Sequence, residues 1–245
     1  MKPLVPLLVA GMLTFSATPV LAVTAHACGT PADVLNLANW KLTLPTGSDG
    51  HPTEIKQPQL AGYSVDPWFT ACDGVQFRAA VNGVTTSGSS YPRSELREMN
   101  GSNEASWSTT SGTSTMEIDE AITHLPAGKG VVAGQIHDKS DDVTVFRLEG
   151  SKLYVTKGDD PHYELATDDY RLGTRFKARF VAGSGQIMAY YNDKLVASIK
   201  VKSSGDYFKA GAYTQANCDN SSPCGAGNYG EVVVHGLTVS HHTGE

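Results

Sequence analysis

Positive charge and long apolar runs are both scarce in this sequence. The 245 residues hold 19 Lys and Arg against 25 Asp and Glu, which gives a formal net charge of −6. The one extended apolar run, Pro3 to Leu13, is roughly half of the ~20 residues that a membrane-spanning helix needs. We therefore expect no membrane span and no nucleic-acid partner. A polyanionic substrate would need the few cations gathered in one cleft, because local fields act within about 8–10 Å.

The sequence also lacks a Pro/Ser/Gly linker, an internal repeat and a low-complexity tract. Residues 28–245 are long enough for one large all-β domain, so we predict a single domain that is monomeric.

Residues 1–27 have the layout of a cleavable secretory signal. Lys2 precedes the apolar run, and small residues follow at the possible cleavage points after Ala22 or Ala27. We therefore predict a secreted protein, extracellular or periplasmic, with no membrane attachment after cleavage.

Four cysteines, an even number, fit disulfides in an exported protein better than metal ligands. Cys218 and Cys224 are close enough to form a short loop, which would pair Cys28 with Cys72. Four cysteines allow three pairings, and the sequence leaves that choice open.

Helix signals are few. Thr30 as the N-cap, Pro31 and Asp33 predict one short helix that ends at about Asn39.

The rest of the chain reads as short alternating strands separated by turns. Predicted strands include Trp40 to Leu44, Phe146 to Leu148, Leu153 to Val155, Phe176 to Val181, Ile187 to Tyr191 and Glu231 to Val234. Hairpin turns are expected at Glu149-Gly150-Ser151 and at Asn192-Asp193. The spacing predicts an all-β fold, a sandwich or jelly roll.

Three predicted strands carry an unusual set of polar residues on one face. A period of two places together Arg93, Glu95 and Arg97 in the first, Gln135 and His137 in the second, and Tyr207, Lys209, Tyr213 and Gln215 in the third. Taken singly, each segment is more often a cross-strand salt-bridge ladder or a packed aromatic residue. If the three strands belong to one sheet, their polar faces would together form a groove that binds anions.

In order along the chain, residues 93–97, 135–137 and 207–215 resemble the three signature segments of polysaccharide lyase family 7, the alginate lyases. Residues 39–45 are also similar to the opening strand of that family. The resemblance implies a β-jelly roll with a concave sheet that binds alginate, a polyanionic polysaccharide, and no metal or organic cofactor.

The reaction expected from this resemblance is β-elimination in a 1,4-linked uronate chain. A negative carboxylate makes the C5 proton hard to remove, so the site must neutralise that charge, which Arg93 and Gln135 can do. The resemblance assigns the base and the acid to His137 and Tyr213. His137 would act as base where the C5 proton and the leaving group lie on opposite faces, as in guluronate. Tyr213 could do both tasks for mannuronate.

Four more residues are expected to bind or orient the substrate: Glu95, Arg97, Lys209 and Gln215. Of these, Glu95 is expected to orient an Arg rather than to react. Ile136, on the core side between Gln135 and His137, resembles family members that act on guluronate or mixed blocks. Cutting inside the chain is expected from an open groove.

Two other functions compete with the lyase. Glu117-Ile118-Asp119-Glu120 resembles the start of a laminarinase-type hydrolase strand, but Ala121 stands where a third acid on that face is needed. A non-catalytic carbohydrate-binding module could instead use Tyr190, Tyr191 or Trp107. His241 and His242 read as incidental residues of a polar tail.

Overall fold

The computed structural model describes Met1 and residues 28–243. The predicted secretory signal, apart from Met1, lies outside the described residues. Within them, no helix has the length and apolar character to cross a bilayer.

Strands dominate the described residues, and their bounds set the frame for the site. A one-turn helix α1 (Pro31–Val34) and a 3-10 turn (Gln59–Gly62) accompany them. The strands are β1 (Trp40–Ser48), β2 (His51–Ile55), β3 (Phe69–Ala71), β4 (Val75–Ala80), β5 (Arg93–Asn100), β6 (Asn103–Glu104), β7 (Trp107–Ser108), β8 (Thr113–His124), β9 (Val131–His137), β10 (Asp142–Glu149), β11 (Lys152–Lys157), β12 (Asp160–Thr167), β13 (Arg175–Gly183), β14 (Gln186–Tyr191), β15 (Lys194–Lys200), β16 (Ser204–Thr214) and β17 (Tyr229–His242).

The strands form two antiparallel sheets. The ten-stranded sheet runs β12-β11-β10-β9-β16-β5-β1-β2, with β6 paired to β5 and β7 paired to β16. The seven-stranded sheet runs β15-β14-β13-β8-β17-β4-β3. This two-sheet jelly-roll sandwich confirms the predicted all-β class.

Apolar side chains from the inner faces of both sheets fill the space between them. Phe146 of the ten-stranded sheet meets Phe180 of the seven-stranded sheet with ring centroids 5.0 Å apart. Phe77 and Phe208 are likewise fully buried. Burying one such side chain contributes about 1.5–3 kcal/mol. This core fixes which face of each strand is turned outward.

Both predicted hairpin turns are confirmed. Asn192 and Asp193 have φ values of 47° and 63°, the positive pair that a type I′ turn requires, and they join β14 to β15. Gly150 has φ 59° in the turn between β10 and β11.

The predicted helix begins as expected but is shorter. Asp33 accepts a hydrogen bond from the backbone N–H of Thr30 at 2.6 Å, as in a capping box. The helix ends at Val34 rather than near Asn39, which corrects the prediction. Leu35 and Leu37 are both core residues, and the extended backbone at Leu35 ends the helix before them.

Two disulfides join Cys28 to Cys72 and Cys218 to Cys224. This is the pairing that loop proximity favoured. The first bond fixes the N-terminal segment of the described chain to β3–β4, and the second closes a short loop after β16.

Candidate active site

The three strands with selective polar faces are neighbours at the centre of the ten-stranded sheet, in the order β9-β16-β5. Lys209 of β16 lies opposite Gln135 on one side and Arg97 on the other. Tyr213 lies opposite Arg93. The period of two therefore gathers these side chains on one outer face, as the sequence predicted.

A glycine makes the central strand fit. Gly211 has φ 130°, and a Cβ there would stand 2.7 Å from the carbonyl oxygen of Ser94. The pairing of β16 with β9 shifts register between Ala210 and Tyr213. Gly211 permits that irregularity without a steric clash.

A cavity of about 270 Å³ opens over this face. All four predicted catalytic residues line it, together with Arg97 and Lys209. The full lining is Lys41, Thr43, Glu54, Thr86, Gly88, Ser89, Arg93, Arg97, Gln135, His137, Ser140, Asp141, Asp142, Tyr207, Lys209 and Tyr213. Glu95 and Gln215 are outside this set.

Glu95 lies beneath the cavity floor and is 1 % exposed. One of its oxygens accepts a hydrogen bond from the Gln135 side-chain amide. The other contacts Lys209 Nζ at 2.6 Å and Arg93 Nη1 at 3.4 Å. Glu95 thus orients three cavity residues at once and is itself enclosed.

The buried charges shift one another's pKa. Burial would raise the pKa of Glu95, but the charges of Lys209 and Arg93 outweigh it and hold that pKa below its ordinary value. Burial and the Arg93 charge lower the pKa of Lys209 to about 8, against the opposing effect of Glu95. With Lys209 protonated, the trio carries a net charge of about +1 in a poorly hydrated place. That local charge can attract an anion to an otherwise acidic protein.

Arg93 retains unused hydrogen-bond donors. Within residues 28–243 the only hydrogen bond of its side chain is the one from Nη1 to Glu95, and its buried Nε has no partner. The guanidinium lies 3.9 Å from the centre of the Tyr213 ring. The aromatic ring and Glu95 therefore hold the guanidinium in place while it can still grip a carboxylate.

The surroundings of His137 favour the neutral form of its imidazole. Its Nδ1 lies 2.7 Å from the Asp138 carbonyl oxygen and 3.1 Å from the Tyr207 hydroxyl. Because the carbonyl oxygen can only accept, the shorter contact assigns the proton to Nδ1 and leaves the lone pair on Nε2. Burial lowers the pKa of His137, and the Lys209 charge acts in the same direction. The ring stacks on Tyr207 at 5.2 Å between centroids.

Tyr213 is contacted by a residue that sequence reasoning missed. Its hydroxyl lies 2.9 Å from Ser89 Oγ, in the segment before β5. Tyr91 packs edge-on against the Tyr213 ring at 6.3 Å. The sequence prediction relied on the alternation of side chains along strands, and Ser89 lies in a loop, where that alternation does not apply.

A second ionic group borders the cavity beside Arg97. The Arg97 guanidinium lies 3.8 Å from the centre of the Tyr207 ring and contacts Glu104 at 2.7 Å. Lys41 bridges Glu104 at 3.0 Å and Glu54 at 2.6 Å. Lys41, Glu54 and Glu104 were not predicted from the sequence as residues near the site. Their strands, β1, β2 and β6, are brought together by the order of strands in the sheet, which the sequence does not show.

Acidic residues form the rim beside His137. Asp141 and Asp142 both line the cavity, and Asp142 lies opposite His137 in the pairing of β10 with β9. Burial and the neighbouring Asp141 raise the pKa of Asp142 to about 6. This rim repels a carboxylate, so the anion is directed toward Arg93 and Lys209.

Gln215 lies past the end of β16. Its side-chain oxygen accepts a hydrogen bond from Arg147 Nη1 at 3.1 Å. Arg147 also contacts Glu149 at 2.5 Å. The structure therefore places Gln215 in a separate polar group rather than in the cavity lining.

A sequence model of the alginate lyases matches residues 35–241. The chain belongs to the alginate lyase family. More specifically, the relatives place it in polysaccharide lyase family 7.

Known members of this alginate lyase family share both sequence and fold with the chain. A crystal structure of an alginate lyase from Corynebacterium sp. is 60% identical, with a TM-score of 0.86 over 87% of this chain and 99% of that one. The family 7 alginate lyase A1-II′ is 27% identical, with a TM-score of 0.75 over 89% of this chain and 98% of that one. That structure is of a variant in which one His and one Tyr are replaced, in complex with the substrate GGMG. A curated alginate lyase from Klebsiella pneumoniae is 32% identical over 191 residues, which span 64% of this chain but 57% of that protein.

The acidic run that suggested a hydrolase is unlike a pair of catalytic carboxylates. Glu117 contacts Lys177 at 3.4 Å, and Asp119 contacts Arg175 at 2.5 Å. These pairs form a ladder on the outer face of the seven-stranded sheet. Glu120 points the other way and is wholly buried.

The aromatic residues considered for a binding module are engaged within the fold. Tyr190 lies in β14 of the opposite sheet, with the Arg179 guanidinium 4.1 Å from its ring centre. Tyr191 packs against Phe176 at 5.4 Å.

His241 is structural, which corrects its interpretation as part of a polar tail. It belongs to β17, and its two nitrogens lie 2.5 Å from Glu98 and 2.9 Å from Ser114. Glu98 also accepts from the Trp107 indole N–H at 3.0 Å. These residues line a groove of about 890 Å³ that has no lining residue in common with the cavity over Arg93. Among the described residues, no cluster of three His, Cys, Asp or Glu side chains could hold a metal.

Proposed function

We propose that this chain is an alginate lyase that cleaves 1,4-linked uronate chains by β-elimination, with Arg93, Gln135, His137 and Tyr213 as its catalytic residues. One observation carries the proposal. A neutral imidazole with a free Nε2, a phenol, an Arg and an amide line one cavity above a buried carboxylate. These four groups are the ones that β-elimination needs: a base, an acid and two donors that neutralise the carboxylate.

Arg93 and Gln135 neutralise the substrate carboxylate. Removing the C5 proton sends negative charge onto the adjacent C6 carboxylate, so donors already aimed there lower the barrier. Glu95 uses one donor of each residue, which leaves the second amide N–H of Gln135 and the remaining guanidinium donors for the substrate. Such preorganised donors contribute about 2.7–4 kcal/mol each in comparable sites.

His137 and Tyr213 move the protons. Nε2 of His137 takes the C5 proton of guluronate, and the Tyr213 hydroxyl protonates the leaving O4 on the opposite face. For mannuronate, where both events occur on one face, Tyr213 performs both tasks. A neutral imidazole at neutral pH is the state a base requires, and the lowered pKa of His137 supplies it.

Lys209 and Arg97 bind the uronates that flank the cleaved bond. Both side chains line the cavity, and both are held by carboxylates, Glu95 and Glu104. Binding energy from these remote sugars positions the reacting ring for proton transfer. We propose that Gln215, bound to Arg147, contacts the chain beyond the cavity.

The substrate preference follows from Ile136 and the placement of His137. Ile136 is fully buried directly behind the strand that carries Gln135 and His137, so its shape helps to set the position of the base. We propose action on guluronate-containing or mixed blocks, with cuts inside the chain. The GGMG complex of A1-II′ supports mixed blocks, taking G as guluronate and M as mannuronate.

We further propose that the mature protein is a secreted monomer with one catalytic domain, residues 28–245, that uses no cofactor. Two disulfides in the described chain support an oxidising compartment.

Initial rates on separated guluronate and mannuronate blocks test the specific proposal. The double bond of the unsaturated uronate product absorbs in the ultraviolet, so rising absorbance separates a lyase from a hydrolase or a binder. We expect cleavage of guluronate blocks at least as fast as that of mannuronate blocks, and a rapid fall in viscosity. A strong mannuronate preference would contradict the role of Ile136, and slow viscosity loss would contradict internal cutting.

A further inference from the structure

The loop of residues 86–92 brings one hydroxyl group onto the proposed acid. Ser89 lines the cavity, and its Oγ lies 2.9 Å from the Tyr213 hydroxyl. The loop is closed by a backbone hydrogen bond from Ser89 to the Thr86 carbonyl at 3.1 Å. Its far end is joined to β16 by the Thr214 N–H, which donates to the Pro92 carbonyl at 3.1 Å.

The hydrogen-bond partners of Ser89 leave its hydroxyl free to donate to Tyr213, although either hydroxyl can be the donor in that contact. The Tyr91 N–H donates to Ser89 Oγ at 3.1 Å and so occupies one of its lone pairs. The Ser89 proton can go to the Tyr91 carbonyl at 3.3 Å or to the Tyr213 oxygen at 2.9 Å. The contact with Tyr213 is the shorter of the two and lies close to the 2.7–2.8 Å that is typical of hydrogen bonds between hydroxyls. When Ser89 donates, Tyr213 keeps its own proton for the substrate. Once the phenol has lost that proton its oxygen can only accept, so Ser89 is then the donor.

The loop after β16 supports Ser89 from behind. Asn217 donates to the Ser90 carbonyl at 3.1 Å, and Asn220 donates to the Tyr91 hydroxyl at 3.1 Å. Asn220 lies inside the loop that the Cys218–Cys224 disulfide closes, and Asn217 directly precedes that loop. The position of the Ser89 hydroxyl is therefore determined by contacts on both sides of it.

We propose that Ser89 is a positioning residue that acts through Tyr213. Its hydroxyl donates to the phenol oxygen, turns the phenol proton toward the leaving O4, and stabilises the negative charge left on Tyr213 after proton transfer. This inference rests on the proposed role of Tyr213 as the acid. Because the bond becomes charge-assisted only as the phenol loses its proton, it strengthens along the reaction and should affect kcat more than KM.

Kinetics of Ser89→Ala, with Ser89→Thr and Ser90→Ala as matched variants, test this inference. Thr retains the hydroxyl, whereas Ser90 is an exposed neighbour in the same loop whose side chain is outside the cavity lining. We expect kcat of Ser89→Ala to fall on the order of tenfold, the value of one charge-assisted hydrogen bond, with KM within about twofold. Ser89→Thr should recover most of kcat, and Ser90→Ala should match the wild type.

Equal kcat in Ser89→Ala and the wild type would overturn the inference, as would a loss that appears only in KM or that Ser89→Thr fails to recover. Thermal melts of each variant exclude unfolding as the cause. A double-mutant cycle adds a second criterion: in a Tyr213→Phe background, Ser89→Ala should cause no further loss of residual turnover. A further loss there would show that Ser89 acts independently of Tyr213. If Tyr213→Phe itself retained full turnover, the proposed function would fail instead, so the two failures are distinguishable.

Discussion

Replacing Glu120 by Leu should stabilise the protein, by an amount that depends on pH. Glu120 is wholly buried in β8, and within the described chain neither of its carboxylate oxygens has a hydrogen-bond partner. Burial, and then the charge of Asp119, raise its pKa from 4.5 to about 8. At neutral pH Glu120 is therefore protonated in the folded protein and ionised in the unfolded chain.

The cost of holding that proton can be estimated from the pKa difference. At pH 7 the unfolded pKa lies about 2.5 units below the solution pH, which corresponds to roughly 3 kcal/mol at about 1.36 kcal/mol per unit. Because the folded-state pKa of an acid is raised, the folded protein binds the extra proton and stability falls as pH rises from about 4.5 to about 8. Glu120→Leu removes this cost, so its advantage should be smallest near pH 4.5 and reach roughly 5 kcal/mol by about pH 8.

Urea unfolding at about pH 5, 7 and 8 measures this effect. The difference in unfolding free energy at pH 7 should be about 3 kcal/mol, and thermal melts at the same pH should show it as a rise in Tm of roughly 6–12 °C. Glu117→Leu is the matched control, since Glu117 lies in the same strand but on the outer face, and it should show no gain that grows with pH. A difference between Glu120→Leu and the wild type that is constant with pH would refute the reasoning. Retained lyase activity would also remove Glu120 from any catalytic role.

Three further predictions concern the cavity. His137→Ala should lose activity on guluronate blocks before activity on mannuronate blocks, measured by initial rates on each; equal losses would show that one base serves both sugars. The Lys209 ammonium loses its proton as pH rises through about 8, so kcat/KM for alginate should fall over that range and the fall should be absent in Lys209→Met. Glu95→Ala leaves the charges of Arg93 and Lys209 without a partner and should lower the free energy of unfolding, measured in urea, by about 3–5 kcal/mol. A decrease below about 1 kcal/mol would show that Glu95 does not hold these two residues in place.

Much of the site could be predicted because a strand has a simple period. Two-residue alternation alone places Arg93 and Arg97 on one face, and the same rule sends Ile136 to the core. The roles of His137 and Tyr213 came from the family resemblance, since periodicity shows only that they share a surface with the cations. The sequence does not show which strands pair; the structure shows that β9, β16 and β5 are neighbours.

Other features depend on contacts that no local pattern encodes. Ser89 reaches Tyr213 across 124 positions of sequence, and Lys41 reaches Glu104 across 63. Nothing in the neighbourhood of either residue in the chain signals such a partner. The early end of α1 has a tertiary cause as well: Leu35 is buried in the core, so packing overrides the local preference for helix.

The measurement that tests the central proposal most directly is the turnover of alginate by Tyr213→Phe, with binding measured on the same variant. The substitution removes one hydroxyl from the cavity and keeps the ring against which Arg93 packs. We expect binding close to that of the wild type and a turnover reduced by about 100-fold or more, because general acid catalysis usually contributes about 10²–10⁴-fold. Turnover above about a tenth of the wild-type value, with the double bond still formed, would show that another residue protonates the leaving oxygen.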